Sequence, residues 1–173
     1  PSGFGELLAQ KGFALYDHMM VVELVEQPSQ PKLSPITILD VGDETVPVWA
    51  QTFIQAFNIP CTWMPEVFRR SRIAASREET TLLLGYVDKK PVGTVALYSK
   101  DQVGGIYCLG SLPTHRGKGV ASALLHEAVL RSMQKGNDIL CLQTLGQDRL
   151  RVFYGTHGFK TAFTRSIYLK AHG

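Results

Sequence analysis

The chain has 173 residues, of which 45% are hydrophobic and 19% charged, and its formal net charge is +3. At roughly 150 residues per domain this is about one domain, large enough to hold a core without covalent staples. Cys61, Cys108 and Cys141 are odd in number and far apart, which excludes a disulfide framework and any Cys-x-x-Cys site and points to a reducing compartment, the cytoplasm. No Lys/Arg run marks a nucleic-acid arm, no apolar stretch approaches the roughly 18 residues that span a bilayer, and no basic-then-apolar signal opens the chain. The expectation is a cytoplasmic globular domain with no nucleic-acid or membrane partner.

In chain order, a leader comes first (1–26). Leu7 to Gly12 reads as a helix end stopped by glycine, and Met19 to Val25 as a strand. Residues 27–35 carry three prolines and form an extended linker, and 36–173 is the main domain. Ile36 to Leu39 is a short strand. Asp43 is the expected N-cap of a helix with Val46, Trp49, Ala50, Phe53, Ile54 and Phe57 on one face. Pro65 to Arg77 forms a second helix, whose Arg69, Arg70, Arg72 and Arg77 could attract an acidic ligand but more often make a solvated face.

The period then changes to two. Thr80 to Val87 and Val92 to Tyr98 make a hairpin about Asp88-Lys89-Lys90-Pro91, and Val103 to Ser111 is a third strand. Lys118 to Gln134 is an amphipathic helix with Ala121, Leu124, Leu125, Ala128, Val129 and Met133 on its apolar face and His126 on its solvated one. Ile139 to Leu142 reads as a strand buried on both faces. Asp148 to Thr156 is a short helix stopped at Gly158, and Phe159 to Leu169 the last strand. This order describes an α/β fold with a mixed sheet and helices on both faces.

The chemistry concentrates in Leu109-Gly110-Ser111-Leu112-Pro113-Thr114-His115-Arg116-Gly117-Lys118-Gly119-Val120-Ala121-Ser122. A strand enters a glycine-rich turn that opens directly into a helix, whose first amides are unpartnered and carry positive partial charge: an anion site. Gly117, Gly119 and Ala121 leave room for a phosphate chain, and Arg116 and Lys118 add charge at the rim. A Walker A loop fails, because Leu112 stands where its first glycine belongs and Gly119 follows Lys118. A Rossmann fingerprint is weak, because Ser122 replaces its third glycine and Asp138 starts rather than ends the next strand.

The third candidate is the pyrophosphate of coenzyme A. The stretch resembles the Gln/Arg-x-x-Gly-x-Gly/Ala signature of the GNAT superfamily of acyl-CoA-dependent N-acyltransferases, matched by Arg116, Gly119 and Ala121. Upstream, Ser111-Leu112-Pro113 stands for the usual Val-x-Pro. Downstream, Gln147, Leu150, Tyr154, Gly158 and Phe159 fall on the family's Asn-x-x-Ala-x-x-x-Tyr-x-x-x-Gly-Phe, with Gln for Asn and Leu for Ala. The resemblance covers about residues 36–170. The leader carries an echo of its own, Gly12-Phe13 after a helix as Gly158-Phe159 follows one. It reads either as the tail of a degenerate first repeat or as an ordinary helix and strand.

The resemblance implies a GNAT-type sheet, mostly antiparallel with splayed middle strands, and acetyl-CoA as cosubstrate with no metal. It implies an N-acetyltransferase acting on a primary amine, small molecule or peptide, by direct attack in a ternary complex. Leu109, Gly110 and Ser111 would lie against the pantetheine and thioester. Arg116, Gly117, Lys118, Gly119, Val120, Ala121 and Ser122 would hold the pyrophosphate, Gln147 would touch the pantetheine arm, and Tyr154 would protonate the leaving thiolate. Tyr107 and Glu66 are the candidate bases. Trp49, Phe53, Phe57, Trp63 and Phe68 are available to line the acceptor pocket. The Ser111 and Gln147 departures leave room for the alternative of a catalytically silent acyl-CoA-binding or regulatory module. The leader strand leaves room for a homodimer.

Overall fold

The computed structural model describes residues 3–28, 36–145 and 148–170. In chain order the elements are α1 (Phe4–Gln10), β1 (Phe13–Leu24), β2 (Thr37–Asp40), α2 (Val46–Phe57), α3 (Met64–Ala75), β3 (Thr80–Val87), β4 (Lys90–Lys100), β5 (Val103–Ser111), α4 (Val120–Gln134), β6 (Ile139–Leu145), α5 (Asp148–Gly155) and β7 (Phe159–Lys170), with single 3-10 turns at Cys61–Trp63 and Pro113–His115. They fall into two compact units, one of residues 28–141 and one of residues 1–27 with 142–173. Most of the Pro-rich linker, residues 29–35, lies outside the described residues.

In the larger unit β2, β3, β4 and β5 pair antiparallel in that order. Both tight hairpins close on two residues with left-handed φ: Asp88 and Lys89 at 48° and 62°, Asp101 and Gln102 at 50° and 63°. This turn geometry matches the right-handed twist of the flanking strands. The first turn is therefore shorter than its four-residue sequence signal, and Lys90 and Pro91 already pair with Val87 and Tyr86.

Each face of this sheet carries a helix. On one face Trp49 of α2 packs against Leu82, Leu84 and Ala96, and its indole N–H donates to the Leu83 carbonyl at 3.2 Å. On the other face Val120, Leu124, Leu125, Ala128 and Val129 of α4 are fully buried. Gly93 on β4 is what lets α4 seat so closely, since a Cβ there would stand 2.7 Å from the Val120 side chain. Arg131 clamps the far end of α4, bonding to Glu127 at 2.8 Å and Asp40 at 3.0 Å. Leu83, Leu97 and Val95 lie between with no exposure, each contributing roughly 1.5–3 kcal/mol by leaving water.

Local details differ from the sequence reading. Thr45, not Asp43, holds the cap position of α2, and no side chain bonds the first turn; the Thr45 hydroxyl instead closes a turn on Gly42. On α4 the buried stripe takes Ser132 rather than Met133, because Asn137 donates to the Ser132 hydroxyl at 2.9 Å. His126 is half-buried rather than solvated, and its Nδ1 is buried with no hydrogen-bond partner among the described residues. In β6 burial alternates, with Leu140, Leu142 and Thr144 buried and Ile139 44% exposed. A short apolar run does not tell one buried face from two.

The smaller unit is built on an antiparallel ribbon of β1 and β7, from Phe13↔Lys170 to Leu24↔Phe159. Each strand follows a helix and opens with Gly-Phe, so the pairing is symmetric about a local dyad. β1 begins six residues before the expected Met19, because its first half is exposed and shows no apolar alternation to announce it. The pairings are mostly antiparallel, one pair is parallel, and helices flank the strands; the architecture is the expected mixed α/β one.

Candidate active site

Near its end β5 carries one extra residue. Tyr107 pairs with Ala96 and Gly110 with Thr94, so Cys108 and Leu109 together oppose Val95. Cys108 takes φ 53°, and the buried Thr94 hydroxyl donates to its carbonyl at 2.9 Å. A bulge of this kind leaves ladder groups unpaired and re-aims the strand. Beyond it Gly110 faces α2, where a Cβ would stand 2.7 Å from the Phe57 ring.

The Leu112 amide fixes the strand's exit by donating to the Val92 carbonyl at 2.8 Å. The chain then turns through Pro113–His115 and reaches Gly117 and Gly119 at φ 74° and 82°, a left-handed geometry that glycine adopts without steric cost. No side chain caps α4, and its ladder starts with the Ala123 amide on the Gly119 carbonyl. The amides of Val120, Ala121 and Ser122 thus point out of the helix start, where the dipole favours an anion. Leu109, Gly110, Ser111 and Gly117–Ser122 all belong to this strand–loop–helix junction.

Arg116 has a further job. Its guanidinium donates to the Ala56 carbonyl at 3.1 Å, satisfying the last turn of α2 and tying the loop to that helix. Gln147 lies outside the described residues. Tyr154 belongs to the smaller unit, on α5. Its ring meets Phe153 and Phe159 edge-on at 5.1 and 6.0 Å, and burial pushes its phenol above the ordinary value. Its hydroxyl has no hydrogen-bond partner among the described residues.

A cavity of about 420 Å³ opens between α2, α3 and strands β3–β5, lined by Trp49, Phe53, Val67, Tyr98, Tyr107 and Cys108 among others. Of the aromatics expected to line a pocket, Trp49 and Phe53 do, Phe57 sits instead against Gly110, and Trp63 is exposed. Sequence reading missed Tyr98, whose signal was its place two residues beyond the core Ala96 on one strand face. Of the two candidate bases, Tyr107 lines the cavity. Glu66 is bonded by Arg69 and Arg70, which hold its carboxyl at about 2; so acidic a group is a poor proton acceptor. Burial pushes the Cys108 thiol up to about 11, so it stays a neutral, inert wall.

A profile of the acetyltransferase (GNAT) family matches residues 46–159, which spans the bulge, the glycine loop, α4 and Tyr154. The chain belongs to this family. Comparison with curated proteins finds no match. Among solved structures, the chain is similar to a GCN5-related N-acetyltransferase from Kribbella flavida, with 19% identity, a TM-score of 0.73, and 99% of this chain and 65% of that one covered. One from Sphaerobacter thermophilus gives 19%, 0.79, and 94% against 54%. The PaiA N-acetyltransferase of Thermoplasma acidophilum, solved in complex with coenzyme A, gives 18%, 0.63, and 72% against 89%. The chain spans less than two thirds of the length of the first two. At such identities these likenesses show the fold. Among the described residues, no helix is long and apolar enough to cross a membrane.

Proposed function

We propose that the chain is an N-acetyltransferase domain that moves an acetyl group from acetyl-CoA to a primary amine within a ternary complex. The observation that carries this reading is the start of α4: an uncapped helix N-terminus, entered through two left-handed glycines, inside the stretch matched by the family. The amides of Gly117–Ser122 suit the coenzyme's pyrophosphate, with Arg116 and Lys118 adding charge. The bulged end of β5, half-buried and backed by Gly110, suits the pantetheine and the thioester carbonyl, and an amide there would stabilise the developing oxyanion.

The amine attacks the thioester carbon as a neutral nucleophile and loses one proton, the carbon–sulfur bond breaks, and the thiolate leaves. Tyr154 is the residue assigned to that thiolate. A phenol raised by burial keeps its proton at neutral pH. Full transfer to a thiolate is uphill by roughly 2 kcal/mol from the ordinary values, so a hydrogen bond that strengthens as sulfur gains charge supplies most of the effect. No covalent enzyme intermediate is needed.

The test is thiol release from acetyl-CoA across a panel of amines, together with CoA titration, for the parent and Tyr154→Phe. The expected result is CoA binding in both, and a turnover lowered about 100-fold in the variant, the low end of the range of general-acid effects. Binding without turnover on any amine would replace the enzyme reading by a silent acyl-CoA module. No binding at millimolar CoA would end both.

A further inference from the structure

The cavity beside β5 has a chemical character of its own. Its walls are mostly aromatic and aliphatic, with Ser71 and Thr80 among them; among the described residues no carboxylate lines it, and Arg70 is the charged group at its edge. Over the same Arg70, Ala74, Thr80 and Tyr98 a second groove of about 370 Å³ opens, to which Arg69 and Arg77 contribute. Three arginines therefore border this groove. The carboxylate bonded there, Glu66, is shared by Arg69 and Arg70, and Arg77 has no ion-pair partner among the described residues. Positive charge is left in excess.

Strand register sets the distance between the two ends. Thr80 pairs with Tyr98, and Tyr98 with Gly105, which places the basic mouth level with Gly105. Cys108, where the cavity meets the bulge, lies three residues further along β5. At about 3.4 Å per residue this is roughly 10 Å of apolar wall between the bulge and the arginines.

We infer that the amine acceptor is an amphipathic acid: a primary amine at one end, an apolar or aromatic body, and a carboxylate or other anion about one cavity length away. This rests on the acyltransferase reading above. The amine would sit at the Cys108 end beside the bulge, the body against Trp49, Phe53 and Tyr107, and the anion at Arg70 and Arg77. Arginines bind carboxylates well through paired N–H donors. A polyamine or another polycation meets like charge at the mouth and no acid within, which disfavours it. An apolar wall also disfavours the ammonium form, which helps supply the neutral nucleophile.

The experiment compares three probes in the thiol-release assay: para-(aminoethyl)benzoate, phenethylamine, which lacks the anion, and spermidine. CoA binding is measured separately by calorimetry. The expected result is a kcat/KM for the benzoate about fivefold above that for phenethylamine, the upper end of what a solvent-exposed ion pair contributes, with spermidine lowest. Arg77→Gln should shrink the benzoate advantage to about threefold or less, and Arg77→Lys should restore part of it, which a general loss of folding would not do. Equal rates for the two aromatic amines, a preference for spermidine, or CoA binding with no turnover or binding of the benzoate would overturn the inference. Failure to bind CoA would fall on the acyltransferase reading instead.

Discussion

The two units handle apolar surface in opposite ways. In residues 28–141 a four-strand antiparallel run is covered on both faces, and the side chains with no exposure, such as Leu83, Val95, Leu97 and Leu124, all lie there. In the smaller unit the β1–β7 ribbon pairs eleven residues of each strand across two register shifts yet leaves Leu15, Tyr16, Phe163 and Leu169 exposed. Hydrogen-bond registry and burial are thus separable. The larger unit is held by packing, and the glycine loop inherits its geometry from that packing through Gly93, Gly110 and Arg116. In the exposed part of the ribbon, pairing contributes more than side-chain burial.

The contrast can be broken or sharpened by experiment. Leu83→Ala removes a side chain with no exposure and should cost about 2–5 kcal/mol of stability, read as a lower urea midpoint; a loss under about 1 kcal/mol would show that the larger unit is not held by packing. A smaller effect is expected from pH. The Cys108 thiol, pushed up to about 11 from an ordinary 9.0, favours the folded state while protonated. Below about pH 9 that contribution is complete, and it is lost as pH rises through 11, by about 2–3 kcal/mol. Urea melts across this window should show the fall in the parent and a flatter profile in Cys108→Ala. The smallest effect is expected in the ribbon, where Tyr16→Ala should change stability by less than about 0.5 kcal/mol. A larger loss would show that the ribbon's exposed side matters to the fold.

Much of the site was legible because glycine and proline are strong punctuation. The loop from Pro113 to Gly119 and the α4 helix behind it follow from residues whose backbone options are few, and β5 lies at Val103–Ser111 as read. What stayed hidden depends on contacts distant in sequence. The second partner of Arg116, the Ala56 carbonyl that α2 brings to it, has no signal in the sequence. Glu66 looks like a base until a helical turn sets Arg69 and Arg70 on it. The first half of β1 gives no signal because pairing with β7, not burial, makes it a strand. The cavity mouth was hidden in the same way: Arg70 and Arg77 are solvated, as read, but only the folded chain sets Tyr98 and Thr80 beside them.

The extra residue at Cys108–Leu109 has a geometric effect that outlasts its own turn. Tyr107 and Gly110, an odd number of positions apart, look toward the same helix, α2. Were the same residues to run as a regular strand, without the left-handed turn at Cys108, strict alternation would rotate everything downstream by half a revolution and present Leu109 to the Phe57 ring in place of a hydrogen atom. The aim of the glycine loop is therefore a question of parity, settled by whether the count of residues along one strand is odd or even.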